Sequence, residues 1–166
     1  MTLVEVMVCA AIGAIALAVA MKVWVFTAYS FAAMENYGDL DQCSRTALDV
    51  MSRDVRQAKE LSSWTTNKLV FTDTDGSTFS YTYNPQAGTL VRLWGGQSTI
   101  LLRDCDYMHF SVWQRSPSPS NNFTFYPASG PTTAKLIDLS WKCSRSICNK
   151  KVNTETMQSA KIVIRN

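Results

Sequence analysis

The N-terminal third of the sequence has no proline and very little glycine. The first proline is Pro85, and before position 60 the only glycines are Gly13 and Gly38. Proline and glycine are the residues that most disfavour a helix interior. The usual interruptions are therefore missing, and one very long helix is permitted.

The sequence also lacks the residues that usually build catalytic and metal sites. His109 is the only histidine, and no Cys-x-x-Cys pair is present. Zinc sites and haem attachment depend on such residues, and no nucleophile that His109 could serve is evident. The formal net charge of +3 is too small to favour nucleic acid as a partner. We expect no metal, no cofactor and no enzymatic activity.

What the chain does have is a long apolar run near its start. Charge is absent from Val6 to Met21 and again from Val23 to Met34, with only Lys22 between. A bilayer core requires about 20 apolar residues, and a lysine can extend its ammonium group along its stem to water. A secretory signal would have basic residues before the run and a cleavage site after it, whereas Glu5 precedes this run. We therefore predict a membrane-spanning helix whose leader has already been removed.

The helical period continues beyond the apolar run. Apolar residues recur at three- and four-residue steps or their multiples in the second stretch: Leu40, Leu48, Met51, Val55 and Ala58. One helix is predicted from about Thr2 to about Leu61, roughly 90 Å long. Its first half is apolar all round and its second half on one side only. We expect any bend at Gly13 or Gly38.

From Lys68 onward the pattern is that of strands. Runs rich in Val, Phe, Tyr and Ile are separated by turn residues, beginning with KLVFTD and STFSYTYN. The intervening DTDGS begins like a calcium loop but lacks the glutamate at the twelfth position, so a hairpin turn is favoured. Residues 116–133 are predicted to form a long loop. The fold class is α+β: a long helix packed on an antiparallel sheet of about five to seven strands.

Five cysteines indicate an oxidising compartment. Cys9 lies in the apolar run and is expected to act as a small hydrophobic residue. Cys43, Cys105, Cys143 and Cys148 form an even set that predicts two disulfides. The short spacing favours a turn closed by Cys143 and Cys148, leaving Cys43 with Cys105, although three connectivities are allowed.

The opening TLVEV, followed by the apolar helix and its amphipathic continuation, resembles the mature N-terminus of type IV pilins and type II secretion pseudopilins. Met1 stands where that family commonly has phenylalanine. The segments SRTALDVMSRDVRQAKEL, NPQAGTLVRLW and ILLRDCDYMHFSVW, together with the closing KIVIRN, are similar to the J-type minor pseudopilin and large minor pilins. Many major pilins have proline at position 22, where this chain has lysine, which leaves Gly13 as the candidate bend.

The resemblance implies a division of the chain into three regions. Residues 1–34 form a transmembrane helix that becomes the filament core, 35–62 the amphipathic half of the same helix, and 63–166 a globular antiparallel β domain. The expected core residues are Val6, Val8, Ile12, Ile15, Leu17, Val19, Trp24 and Phe26.

The resemblance further implies a structural subunit of an extracellular helical filament. A prepilin peptidase would cut and methylate the N-terminus, and inner-membrane assembly machinery would move the subunit from the inner membrane into the homopolymer. The alternative is a minor pilin or a type II secretion pseudopilin, which acts in filament initiation or in protein secretion from a periplasmic pseudopilus.

Glu5 has two interpretations. The resemblance implies that it meets the Met1 amine of a neighbouring copy, with the Thr2 hydroxyl nearby, and so sets subunit register, because an unpaired acid among packed helices is costly. The simpler interpretation is an acid favoured by the positive end of its own helix dipole.

Overall fold

The computed structural model describes residues 2–115, 124–147, 150–151 and 156–164. Its dominant element is one helix, α1 (Leu3–Gln57), which runs without interruption through Gly13 and Gly38. The bend at Gly13 stays a prediction.

The helix ends earlier than the predicted Leu61. Ala58 has a ψ of 139°, so the backbone leaves the helical conformation there, and its N–H donates to the Asp54 carbonyl at 2.9 Å. Glu60 begins the first strand and Leu61 is buried within it. The end of the predicted helix is therefore a strand, because pairing with the next strand buries Leu61 in the core.

Five strands follow as an antiparallel meander. They are β1 (Glu60–Thr65), β2 (Lys68–Thr72), β3 (Thr78–Asn84), β4 (Thr89–Trp94) and β5 (Gln97–Leu102), and they are neighbours in that order. The DTDGS stretch is the predicted hairpin turn between β2 and β3. Gly76 in this turn has a φ of 85°, a conformation that favours glycine.

A second antiparallel sheet contains most of the C-terminal part. Its strands are β6 (Cys105–Arg115), β7 (Phe125–Pro127), β8 (Leu136–Cys143) and β11 (Thr156–Val163), in the order β11-β8-β6-β7. The short strands β9 (Ser146–Ile147) and β10 (Lys150–Lys151) pair with each other. The described strands thus form two main sheets and a ribbon rather than one sheet.

The long loop predicted over 116–133 is only partly irregular. Within it, β7 extends the second sheet, and Pro131–Thr133 forms a 3₁₀ turn. The stretch 116–123 lies outside the described residues. Turn-forming residues surround β7, and its three side chains are exposed, so no apolar alternation marked it as a strand.

The second half of α1 and both sheets enclose one hydrophobic core. Four residues of the predicted stripe are buried, namely Leu40, Met51, Val55 and Ala58, and Leu48 packs against them half-buried. The sheets contribute large side chains such as Phe71 and Trp141. The amphipathic part of the prediction is confirmed.

The disulfide differs from the favoured pairing. Cys105 is joined to Cys143, while Cys43 is a free thiol on α1, so the expected Cys43–Cys105 and Cys143–Cys148 pairings are wrong. Cys105 and Cys143 are directly opposite each other on the neighbouring strands β6 and β8. The strand register brings them together, whereas short spacing had favoured Cys148, which lies outside the described residues.

Candidate functional site

The most unusual surface of the molecule is the first half of α1. Every residue from 2 to 31 is exposed, and Leu40 is the first buried residue of the chain's described part. The eight residues expected to form a filament core have exposed fractions between 52% and 75%. Apolar residues occupy nearly every position of this segment, so apolar side chains are exposed all round the helix. An apolar surface of this size in water indicates a membrane or protein partner.

This segment is long and apolar enough to cross a membrane. Two of its hydroxyl side chains bond to the helix itself: Thr27 Oγ1 donates to the Val23 carbonyl at 2.8 Å, and Ser30 Oγ donates to the Phe26 carbonyl at 3.0 Å. Both hydroxyls are thus satisfied without water, which lowers the cost of moving them into an apolar environment.

Glu5 lies in the first turn of α1. Its Oε2 accepts a hydrogen bond from the backbone N–H of Thr2, the N-cap residue, at 3.4 Å. An acid at this place also interacts favourably with the helix dipole. Glu5 therefore has a local role within one chain. Met1 lies outside the described residues, so contact of its amine with Glu5 of another copy stays a prediction.

Lys22 divides the exposed surface. It lies beside Met21, Val25 and Phe26, and residues one helical turn away on either side are uncharged. Among the described residues its ammonium group has no ion pair or hydrogen bond. This isolation is tolerable in water but costly once the helix is packed against apolar neighbours.

The second half of α1 holds the exposed half at a fixed place on the domain. Trp141 Nε1 donates to Ser44 Oγ at 3.2 Å inside the core. Arg145 bonds Asp39 on the helix and also Asp104 at 2.7 Å, and these carboxylates raise the pKa of Arg145. These contacts attach α1 to the second sheet on both sides of Leu40, where burial begins.

A buried polar cluster attaches the end of the helix to the first sheet. Asp54 Oδ2 accepts hydrogen bonds from Tyr81 Oη at 2.5 Å and from Arg92 Nε at 2.7 Å. Burial, and then the bond to Asp54, raises the pKa of Tyr81. The Arg92 guanidinium lies 4.6 Å from the centre of the Trp94 ring. The cluster satisfies a carboxylate inside the core and fixes how α1 lies on the sheet.

Sequence reasoning missed this cluster, although the sequence carries a signal for it. Asp54 lies three residues after Met51 and four before Ala58, so it is an acid within the predicted apolar stripe. A carboxylate on that face requires a partner in the core. The identity of the partners could not be read from spacing, because Tyr81 and Arg92 belong to separate strands.

Comparison of the chain with known protein families, curated proteins and solved structures finds no match. Two features of the molecule bear on its function: a pilin-like architecture, in which a long apolar N-terminal helix packs on antiparallel sheets, and the exposed half of α1.

Proposed function

We propose that this chain is a structural pilin subunit that polymerises through α1 into a type IV pilus-like extracellular filament. The observation that carries the proposal is the contrast within α1: a fully exposed apolar half continues into a half that is anchored in a folded domain. Burial of apolar surface contributes about 25 cal/mol per Å² relative to exposure to water, so outside a membrane this half requires the cover that other copies of the helix would supply in a filament core.

In this proposal the apolar half has two successive environments. It crosses the inner membrane before assembly, where lipid covers its side chains, and it lies in the filament core afterwards, where other copies cover them. Each subunit would use different faces toward different neighbours, and such contacts repeat without closing. The sheets would form the outer surface of the filament.

Glu5 would set the axial register in the polymer. Its carboxylate would exchange the long bond to Thr2 for the charged N-terminal amine of a neighbouring copy, with the Thr2 hydroxyl close by. Charge-assisted hydrogen bonds are stronger than neutral ones, and they depend on alignment of the two chains. A subunit that arrived out of register would leave Glu5 unpaired.

A second candidate is a minor pilin or type II secretion pseudopilin. The similarity of the segments SRTALDVMSRDVRQAKEL and NPQAGTLVRLW to the J-type minor pseudopilin favours it. In that role the same helix would pack beside other pilin-like chains at a filament tip or in a periplasmic pseudopilus.

Electron cryomicroscopy of filaments sheared from cells that express this chain tests the proposal. A helical lattice filled by this chain, with α1 at its centre, is the expected result. A lattice filled by another chain, with this one only at a tip, would favour the minor pilin over the major structural pilin. A chain found only as a membrane-anchored monomer would overturn both.

A further inference from the structure

Lys22 is a charge that the proposed assembly must neutralise. The charged side chains before Asp39 are Glu5, Lys22 and Glu35, and all three are exposed. In a bilayer the Lys22 stem can carry its ammonium group to the interface. In a bundle of apolar helices that route is closed, so the charge requires a carboxylate from another chain.

We propose that Lys22 of one subunit pairs with Glu35 of a second copy, an inference that rests on the proposed polymerisation through α1. Glu5 is already assigned to the N-terminus of a neighbour, which leaves Glu35 as the carboxylate within the exposed half. Glu35 lies five residues before the first buried residue, Leu40, at the end of the exposed half. The pair thus joins the middle of one exposed half to the end of another.

The positions around the helix favour this pair over the alternative. At 3.6 residues per turn, Lys22 and Glu35 are about 140° apart around α1, whereas Lys22 and Glu5 are about 100° apart. Two parallel copies lying side by side present nearly opposite faces to each other. Lys22 on one face can therefore reach Glu35 on the facing side of its neighbour.

The pair also specifies a displacement between copies. Lys22 and Glu35 are separated by about 20 Å along the axis at 1.5 Å per residue. Pairing requires the second copy to be displaced by about this distance, within the reach of the two side chains. The same two residues on every subunit would then form a continuous series of contacts along the filament.

Charge exchange tests the pair in the full-length chain expressed in cells. Lys22→Glu alone and Glu35→Lys alone are each expected to lower the yield of sheared filaments roughly tenfold or more, since each places like charges together. The double exchange should restore the yield. Arg53→Glu, an exposed charge reversal in the second half of α1, is the matched control and should leave assembly unchanged. Membrane-fraction protein levels are measured for every variant.

Cysteine crosslinking measures the contact directly. With Cys9, Cys43 and Cys148 replaced by serine, the combination Lys22→Cys and Glu35→Cys should give a ladder of covalent multimers under oxidation. Lys22→Cys with Ala33→Cys is the control, because residue 33 lies about 20° from residue 22 around the helix and faces the same side. That combination should give no ladder.

The outcomes separate this inference from the proposed function. Wild-type filaments together with single reversals that assemble normally, or with a double exchange no better than the singles, would overturn the Lys22–Glu35 pair alone. If the wild-type chain formed no helical lattice at all, both the proposed homopolymer and the Lys22–Glu35 pair would be refuted.

Discussion

The two halves of α1 have similar helical backbones but opposite environments. In the first half apolar side chains are exposed all round, and in the second they form one stripe that is buried against the sheets. Each half contains an acid among apolar residues: Glu5 in the first half and Asp54 in the second. Asp54 finds its partners within the chain, whereas the first half has no folded partner in the chain's described part. The difference identifies which half serves folding and which is available for association.

The largest effect on stability is expected when Asp54, the buried acid in the second half of α1, is replaced. Asp54→Ala leaves Arg92 and Tyr81 without their shared acceptor and should lower the free energy of unfolding by about 3 kcal/mol or more. Urea denaturation in detergent, followed by tryptophan fluorescence, measures it. Asp49→Ala, at an exposed position of the same helix, should change stability by less than about 0.5 kcal/mol. Equal effects of the two changes would refute the structural role of the cluster.

A slightly smaller effect is expected from the disulfide of the second sheet. Cys105 and Cys143 are 38 residues apart, and replacing both by serine should destabilise the domain by about 2–4 kcal/mol. Proteolysis under oxidising conditions should cut the variant domain faster, while the exposed half of α1 inserts in membranes as before. A mass map of the oxidised wild type that links Cys143 to another cysteine would contradict the observed pairing.

Glu5, the acid in the exposed first half of α1, is expected to affect assembly and not the stability of the domain. Glu5→Gln is expected to leave the domain's unfolding free energy within about 0.5 kcal/mol of wild type. Filament yield should nevertheless fall roughly tenfold or more, because the neighbour's amine loses its counter-charge. Quantified filaments from sheared cells and denaturation of the same purified protein give the two values. Normal assembly of this variant would rule out the register role of Glu5.

The smallest effect concerns alkaline pH. The raised pKa of Tyr81 means that above about pH 10 the unfolded chain releases this proton while the folded chain keeps it. The contribution of Tyr81 to the free energy of unfolding is therefore complete below about pH 10. As pH rises further, the free energy of unfolding falls by up to about 1.4 kcal/mol per pH unit. Tyr81→Phe should show a shallower alkaline decline than wild type. Tyr126→Phe, at an exposed site, should keep the wild-type slope.

Several features were predictable because they depend on neighbours in sequence. The stripe through Met51 and Val55 follows from the helical period, and the hairpin at Gly76 from local turn chemistry. The strand β1 was missed because ELSSWT has no clean alternation and directly follows a strong helical pattern. Its strand conformation depends on pairing with β2.

Only part of the candidate site was predictable from the sequence. The apolar composition of 6–34 predicted an exposed or membrane-covered surface, because so many apolar residues around one helix exceed what a small domain can cover. The hydrogen bond between Glu5 and Thr2 agrees with the simpler interpretation of an acid at a helix start. The pairing of Glu5 with a second chain stays a prediction, since no sequence contains the geometry of an assembly.

The sequence by itself determined most of the elements: a long uninterrupted helix, its change from apolar all round to apolar on one side, and the strands from Lys68 onward that show a clear strand pattern. These depend on interactions a few residues apart, which composition and period express directly. Only the tertiary structure decided that Cys105 pairs with Cys143, that the strands divide into two sheets, and that Asp54 is held by Tyr81 and Arg92. The disulfide and the hydrogen bonds of Asp54 join residues 27 or more positions apart, and they exist because strand register and helix packing bring the side chains together.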